Sequence, residues 1–514
     1  MSFEPPERFN IADHFLGDRL AEGRGDRIAL RLDDGDLTYA EVDRRARRFG
    51  NALRELGVRG EERVFVALPD GAEFVAAFFG ILKVGAVVVM VNPDQQPDQL
   101  AGLMDYVDAT LAVVSPEAVA SFEKAAATAR EALPRLLVVG GAVEGHASLD
   151  DLDPDDDLET VATHRDDPAI WLFSGGTTGR PKAVVQSHTS YANTTELYAK
   201  GGVGYREDDI TMSVPKLYFG YATGCNLLFP FAVGASAHLF PEHPTPDVLF
   251  DRIERVRPTI LVNVPSMIAA LLDHPGGPDR DLSSVRFATS AGEALPAALY
   301  ERWQRAHGVE LYDGLGTAEM WHIFVSNLPG EVKPGTLGKV VPGFEIAVRE
   351  DDGADVADGE VGRLWARGNS RAIGYWRNMA ETKRTFVGEW VVTGDLVSRD
   401  AEGWVRYVGR GDDALKVKGK WLVPAEVEGV LLEHEAVEEA AVVGVEDADG
   451  LLRPVAFVVA PGAPDGLEEE LREHALGRLE AYKHPRRVVV VDEFPRTHLG
   501  KVNRGELRRL AGGQ

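Results

Sequence analysis

From Leu37 to Pro116 the chain repeatedly switches hydrophobic period, and that switching narrows the folds open to it more than any other feature. The stretch LTYAEVDRRARRFGNALRELGV carries apolar residues at helical spacing behind a capping candidate, Thr38, and ERVFVALPDG follows as a short apolar run stopped by turn residues. EFVAAFFGILKVG and AVVVMVNP repeat helix then strand, and a polar helix followed by ATLAVVSP extends the series. Strands separated by helices pair in parallel, so the pattern predicts a layered, doubly wound α/β domain with a largely parallel sheet. The most membrane-like stretch is Phe74 to Val91, but Lys83 interrupts it between Gly80 and Gly85 and its second half is β-branched, which reads as helix, turn and buried strand.

Length adds a second domain, because 514 residues exceed what one hydrophobic core usually supports. The acidic run DDLDPDDDLE, Asp150 to Glu159, reads as a solvated connector. Beyond it TILVNVP, VRFATSAGEALP and VELYDGLGTAEM end apolar strands in small or acidic residues, where open α/β sheets hold their ligands. From Gly335 to Arg410 short glycine-punctuated strands predict a β-rich subdomain. The remainder reads as helix (AEVEGVLLEH), two strands joined by DADG, helix (LEEELREHALGRL) and strand (RRVVVV). The predicted organisation is α/β: a large N-terminal domain, 1–410, of layered α/β subdomains plus the β-rich part, and a smaller α+β C-terminal domain, 411–514.

Acidic side chains outnumber basic ones by 82 to 55, and the formal charge of -27 disfavours nucleic acid or anionic lipid as a partner. Cys225 is the sole cysteine, which excludes an internal disulfide and a cysteine-rich zinc site and fits a reducing cytoplasm. The opening residues MSFEPPERFNIADHFLGDRL lack the basic start and apolar run of an export signal.

The chemistry concentrates after AIWLF. Ser174, Gly175, Gly176, Thr177, Thr178, Gly179, Arg180, Pro181 and Lys182 form a strand-fed loop of small hydroxylated residues with a lysine behind it. Glycines let backbone N–H groups converge on an anion, threonines add donors, and Lys182 supplies charge. Taken alone, such a loop also reads as a flexible surface turn.

This loop, SGGTTGRPKAVV, resembles the phosphate loop of the adenylate-forming superfamily of acyl-CoA synthetases, peptide-synthetase adenylation domains and luciferases. YDGLGTAEM, TGDL, GRGDDALKVKG and PRTHLGKVNR match the same family in the same order. The resemblance implies ATP, Mg2+ and CoA as reactants, with Glu319 and Thr178 facing the magnesium ion and Lys501 as the adenylating lysine. It further implies Asp395 and Arg410 at the ribose, and Ala291, Gly292, Glu293, Asp313, Gly314, Gly316 and Thr317 around adenine, with Tyr312 as a stacking candidate. Asp412 matches the hinge on which the mobile C-terminal domain swings. Lys416, Lys418 and Gly419 fall on the CoA tunnel, although lysines there also read as solvent-facing.

Residues 215–236 together with SAGEALP and EMWHIFVSN look closest to the benzoate–CoA ligase branch. By that resemblance Tyr218, Phe219, Tyr221, Gly224, Gly292, Gly314, His322 and Ile323 surround a flat aromatic acid, with His322 at its carboxylate. Plain core packing is the competing reading for the aromatics and the histidine. Ala183 after Lys182, and Lys418 and Val423, depart from the commonest ligase pattern and weaken the thioester half. A carrier-protein phosphopantetheine arm and a diazotase-like use of nitrite remain alternatives to CoA, a non-catalytic nucleotide module is disfavoured, and a homodimer is compatible with the family.

Overall fold

Helix Tyr39–Glu55 begins at the capping signal: Thr38 accepts the Glu41 N–H at 3.2 Å while the Glu41 carboxylate accepts the Thr38 N–H at 2.8 Å. This computed structural model describes residues 3–174, 181–411, 414–417, 420–446, 452–463, 466–496 and 502–512. The membrane-like stretch resolves into helix Ala72–Lys83 and strand Val87–Met90, joined through Gly85 at φ +75°. The two helices touch where each carries a glycine, since a Cβ on Gly80 would lie 2.8 Å from the Ala46 carbonyl oxygen and 3.0 Å from the Gly50 nitrogen. Lys83, which broke the apolar run, is buried and meets the equally buried Asp43 of the facing helix at 2.9 Å. Stranding either charge would cost about 3–5 kcal/mol, so the lysine is compatible with the interior only because this carboxylate answers it. Asn51 and Arg48 on the same helix bind Asp155 and Asp153, which fastens part of the acidic connector.

Two compact units emerge. The larger comprises Met1–Ala347, Trp365–Val392 and Gly403–Val405. It holds an eight-stranded sheet in the order 374–375, 182–187, 168–174, 87–90, 63–67, 111–114, 135–138, 147–148. It also holds a nine-stranded sheet in the order 339–340, 323–326, 310–316, 287–290, 260–263, 210–213, 236–238, 28–31, 37–38. Both are parallel through their centres; the nine-stranded sheet is antiparallel at both margins and the eight-stranded one only at the margin formed by 374–375, 182–187 and 168–174. The alternation read from sequence is real: its strands 63–67, 87–90 and 111–114 lie together in the eight-stranded sheet, while the strand ends read beyond the acidic connector belong to the nine-stranded one. Strand Ile28–Arg31 pairs with Ser236–His238, far along the chain, while the next long strand, Arg63–Ala67, joins the other sheet.

The smaller unit comprises Val348–Leu364, Thr393–Glu402 and Arg406–Gln514, so compact packing and chain order part company in the β-rich region. Within it, strands Glu439–Glu446 and Leu452–Val459 pair antiparallel, and Arg487–Val491 joins the second in parallel. Helices Pro424–Leu432 and Leu467–Leu476 contribute to one core of this unit, and helix Arg504–Gly512 to another. The buried Glu428 receives Arg504 at 2.7 Å, tying the last helix to the first. Among the described residues no helix is long and apolar enough to cross a membrane.

Candidate active site

The sequence placed its ligand-facing residues at strand ends, and the nine-stranded sheet gathers them. Strands Ile210–Ser213, Ile260–Asn263, Phe287–Ser290 and Glu310–Gly316 run parallel, so their carboxyl ends open on one side. From those ends leave the segments with Tyr218 and Phe219, with Ala291 to Glu293, and with Thr317 to His322. Parallel order is what brings residues from four distant stretches to one rim.

At that rim an aromatic cluster forms. The His322 ring lies 4.8 Å from Phe229, 5.4 Å from Trp321, 5.5 Å from Tyr221 and 5.7 Å from Tyr198, centroid to centroid. Its Nε2 is 3.1 Å from the Tyr221 carbonyl oxygen and 3.6 Å from Cys225 Sγ. Burial lowers the His322 pKa to about 4, against the upward pull of that carbonyl. The ring is thus neutral near pH 7, and the carbonyl assigns the proton to Nε2. Nδ1 then carries the lone pair and has no hydrogen-bond partner among the described residues. This tautomer accepts a hydrogen bond at its free nitrogen but offers no donor there, so the expected bond from His322 to a substrate carboxylate would need a different proton arrangement. Tyr221 turns its hydroxyl to Thr289 Oγ1 at 2.7 Å.

Two of the glycines expected to floor an open slot are used by the protein itself. A Cβ on Gly224 would lie 2.6 Å from the His322 ring, and one on Gly314 would lie 3.0 Å from Ile323 Cγ2 and 2.9 Å from the Val325 carbonyl oxygen. Gly292 differs: it holds φ +86° and a Cβ there would meet open space. The Tyr218 and Phe219 rings lie 4.6 Å apart, tilted by 46°, but Phe219 is 54% exposed, so neither core packing nor a closed wall describes it. Trp321 adopts φ +62°, an uncommon conformation for a bulky side chain and one held here by its neighbours.

Around the nucleotide-facing residues the picture is mixed. Tyr312 is almost wholly buried against Phe287 and hydrogen-bonds Glu310, leaving little ring surface for stacking. Asp313 is buried, which raises its pKa to about 8 against the opposing pull of Ser290 and the Gly314 N–H, and its Oδ1 has no hydrogen-bond partner among the described residues. Glu293 binds the Ser266 hydroxyl and N–H, both at 3.0 Å, near the start of helix Pro265–Asp273. Ala291 is buried, and Thr317 caps the following turn through the Met320 N–H. Gly316 has the His322 backbone where its Cβ would sit.

In the eight-stranded sheet, Pro168–Ser174 and Lys182–Ser187 form an antiparallel pair with Ser174 opposite Lys182. Gly175, Gly176, Thr177, Thr178 and Gly179 lie outside the described residues, as do Asp412, Lys418, Gly419 and Lys501. Strand Gly374–Tyr375 pairs with Lys182–Ser187 on its other side, and it and the following helix Met379–Thr385 add two groups that sequence reading missed. Tyr375 donates its hydroxyl to Glu319 Oε1 at 2.6 Å, and Glu381 binds Lys182 Nζ at 2.8 Å. Lys182 also sits 5.4 Å from the centre of the Tyr375 ring. Burial first, then the Glu319 charge, raises the Tyr375 pKa, while Lys182 holds the Glu381 carboxyl below its usual range. No local pattern marks Tyr375 or Glu381; strand pairing reveals the first and the packing of helix Met379–Thr385 the second.

In the smaller unit, Arg410 Nη1 contacts the buried Asp395 Oδ1 at 3.1 Å. Asp395 N–H is bound by Thr393 Oγ1, and Gly411 N–H by the Gly394 carbonyl at 2.7 Å. Lys416 is held by Glu350 at 3.2 Å and lies 5.1 Å from the Trp421 ring centre.

Two family models match the chain, the AMP-binding enzyme over residues 18–376 and the AMP-binding enzyme C-terminal domain over 426–501. The chain belongs to the adenylate-forming family. A benzoate–CoA ligase of Thauera aromatica is 41% identical over 508 residues, covering 98% of this chain and 96% of that relative, which places the enzyme in the benzoate–CoA ligase-like branch. Among solved structures, an anthranilate CoA ligase, AuaEII, in complex with anthranoyl-AMP superposes with a TM-score of 0.86 at 37% identity, covering 99% of this chain and 98% of that one. A benzoate CoA ligase from Burkholderia xenovorans LB400 superposes with a TM-score of 0.83 at 40% identity, covering 97% of this chain and all of that one. This adenylate-forming enzyme thus shares both domains and nearly its full length with aryl-CoA ligases.

Proposed function

We propose that this enzyme joins an aromatic carboxylic acid, benzoate or a substituted benzoate, to AMP with release of pyrophosphate, and then passes the aryl group to the thiol of CoA with release of AMP. The observation that carries the reading is the buried cluster of Tyr221, His322 and Phe229 at the carboxyl ends of the same parallel strands that lead to Asp313 and Glu319. A flat apolar acid and a nucleotide would be served from one rim.

Adenylation sets a weak carboxylate nucleophile against an already anionic α-phosphate, so the protein's work is positioning and charge neutralisation. Ser174, Gly175, Gly176, Thr177, Thr178, Gly179 and Lys182 would hold the phosphates. Ala291, Gly292, Glu293, Asp313, Gly314, Gly316 and Thr317 would border adenine, and Asp395 with Arg410 would take the ribose. Lys501 would bridge the carboxylate and the α-phosphate. Because neutral His322 presents a lone pair, it would line the acid and accept from a donor, leaving the carboxylate's charge to Lys501. Tyr218, Phe219, Tyr221, Gly224 and Ile323 would complete the acid site.

The carboxylate of Glu319, with the Thr178 hydroxyl, is the hard oxygen donor set that Mg2+ prefers, and the ion would offset phosphate charge. Tyr375 orients that carboxylate from the opposite side. Residues 411–514 would move as a domain about Asp412, withdrawing Lys501 and bringing Lys416, Lys418 and Gly419 to the CoA thiol. A carrier-protein phosphopantetheine arm presents the same thiol and is the alternative acceptor, with nitrite a third. We assign the reaction to the cytoplasm, in keeping with the lone buried Cys225; a homodimer is compatible with the family.

Pyrophosphate release measured across aryl and aliphatic acids, with CoA, carrier protein or nitrite, tests the reading. Aryl-selective release with CoA-dependent thioester formation is expected. Release with no preference for aromatic acids, or an adenylate that ignores CoA, would overturn it.

A further inference from the structure

Asp70 lies in the turn between strand Arg63–Ala67 of the eight-stranded sheet and helix Ala72–Lys83, and it is only 6% exposed. Its Oδ1 accepts the N–H of Leu217, 147 residues away, at 2.9 Å. Leu217 is itself fully buried and follows strand Ile210–Ser213 of the nine-stranded sheet. One side chain thus links the rim of one sheet to the segment that carries Tyr218 and Phe219.

That segment is built on few contacts, and Asp70 holds its middle. The Phe219 N–H returns to the Lys216 carbonyl at 2.9 Å, and Thr223 Oγ1 reaches the Leu217 carbonyl at 2.6 Å. Lys216 anchors the other end, its Nζ on the Phe240 carbonyl at 2.6 Å and 3.8 Å from that ring's centre. The helical turn Gly220–Thr223, which presents Tyr221, starts directly from this segment. With Asp70 removed, the buried Leu217 N–H would lose its acceptor and the turn its register.

We propose that Asp70 is a positioning residue for acid binding: its bond to the Leu217 N–H fixes the Lys216–Phe219 turn, and through it Tyr218 and Tyr221, in the geometry that receives the aromatic acid. The inference rests on the reading that the acid binds at this segment.

The bond also has a chemical handle. Burial raises the Asp70 pKa to about 7, opposed by the charge of Lys216 and by the Leu217 N–H. Lys216 is lowered by burial against the pull of Asp70 and Glu242, with Arg252 adding to the lowering, and Tyr218 is pushed to about 12 by burial and by Asp70 and Asp94. An ionised carboxylate is a stronger acceptor than a protonated one, so the grip on Leu217 tightens as Asp70 loses its proton.

Steady-state kinetics with benzoate between pH 6 and 8, a range in which the acid itself stays ionised, test this. Wild-type KM for the acid should rise several-fold toward pH 6 with KM for ATP nearly constant. Asp70→Asn, which keeps an acceptor oxygen but cannot titrate, should give an acid KM that is flat with pH, and Asp70→Ala should raise it about tenfold at every pH with kcat little changed. Superimposable pH profiles for wild type and Asp70→Asn, or equal increases in acid and ATP KM, would overturn the inference. Should Asp70→Ala fail to fold, the Asp70→Asn profile decides alone. A wild-type enzyme that activates no aromatic acid would instead overturn the functional reading beneath it.

Discussion

Gly224→Ala places a single methyl group against the residue around which the aromatic cluster is organised. The backbone tolerates alanine, since φ and ψ are both -68°, and helix propensity alone would favour the change by about 1 kcal/mol. Space opposes it. The new Cβ would sit 2.6 Å from His322 Cδ2 and Nε2 and 3.0 Å from Phe229 Cζ, so the imidazole would have to move by several tenths of an ångström. Phe229, Trp321, Tyr221 and Tyr198 crowd that ring, so its shift is resisted by packed aromatic neighbours. Overpacking of this kind costs about 1–3 kcal/mol, and losing the His322 bond to the Tyr221 carbonyl adds about 1 kcal/mol. The clash outweighs the propensity gain and leaves a net loss of about 1–3 kcal/mol. Thermal unfolding should shift down by a few degrees. The specificity constant for benzoate should fall by about tenfold or more, since 1.4 kcal/mol of transition-state binding is tenfold in rate, while KM for ATP stays close to wild type. An alanine variant that melts with wild type and keeps its kcat/KM for the acid would refute this account of the glycine.

Lys501→Ala should abolish acid-dependent pyrophosphate release yet spare thioester formation from supplied aryl-AMP and CoA; comparable loss of both half-reactions would contradict the two-conformation reading. Stability should fall on acidification. Burial lowers His188, His238 and His322 to about 4 and His14 to about 3, so each binds a proton in the unfolded chain before it does in the folded one. Their contribution is complete above about pH 6.5 and is lost as pH falls toward 4. Burial raises Asp70 and Asp313 to about 7 and 8, and their opposing contribution is lost as pH rises through those values. Below pH 6.5 the four histidines outnumber the two aspartates, and the melting temperature should drop between pH 6.5 and 4.5; a flat profile there would show that these rings are hydrated.

The sequence by itself determined the parts whose physics is local. Period switching fixed the helices Tyr39–Glu55 and Ala72–Lys83 and the strand Val87–Met90, because apolar spacing, the Thr38 cap and Gly85 act within a few residues. The elements after Arg410 were legible for the same reason, and the ordered glycine, acid and lysine segments carried the family because they are contiguous. Tertiary structure decided everything that depends on which strand lies beside which. It sorted the strands into two sheets, brought Tyr375 and Glu381 to Glu319 and Lys182, and gave the space at Gly224 to the His322 ring. It also set the proton on His322 Nε2 and bonded Asp70 to Leu217. Pairing, burial and hydrogen-bond direction arise here between residues 56 to 199 positions apart, and no local pattern encodes them.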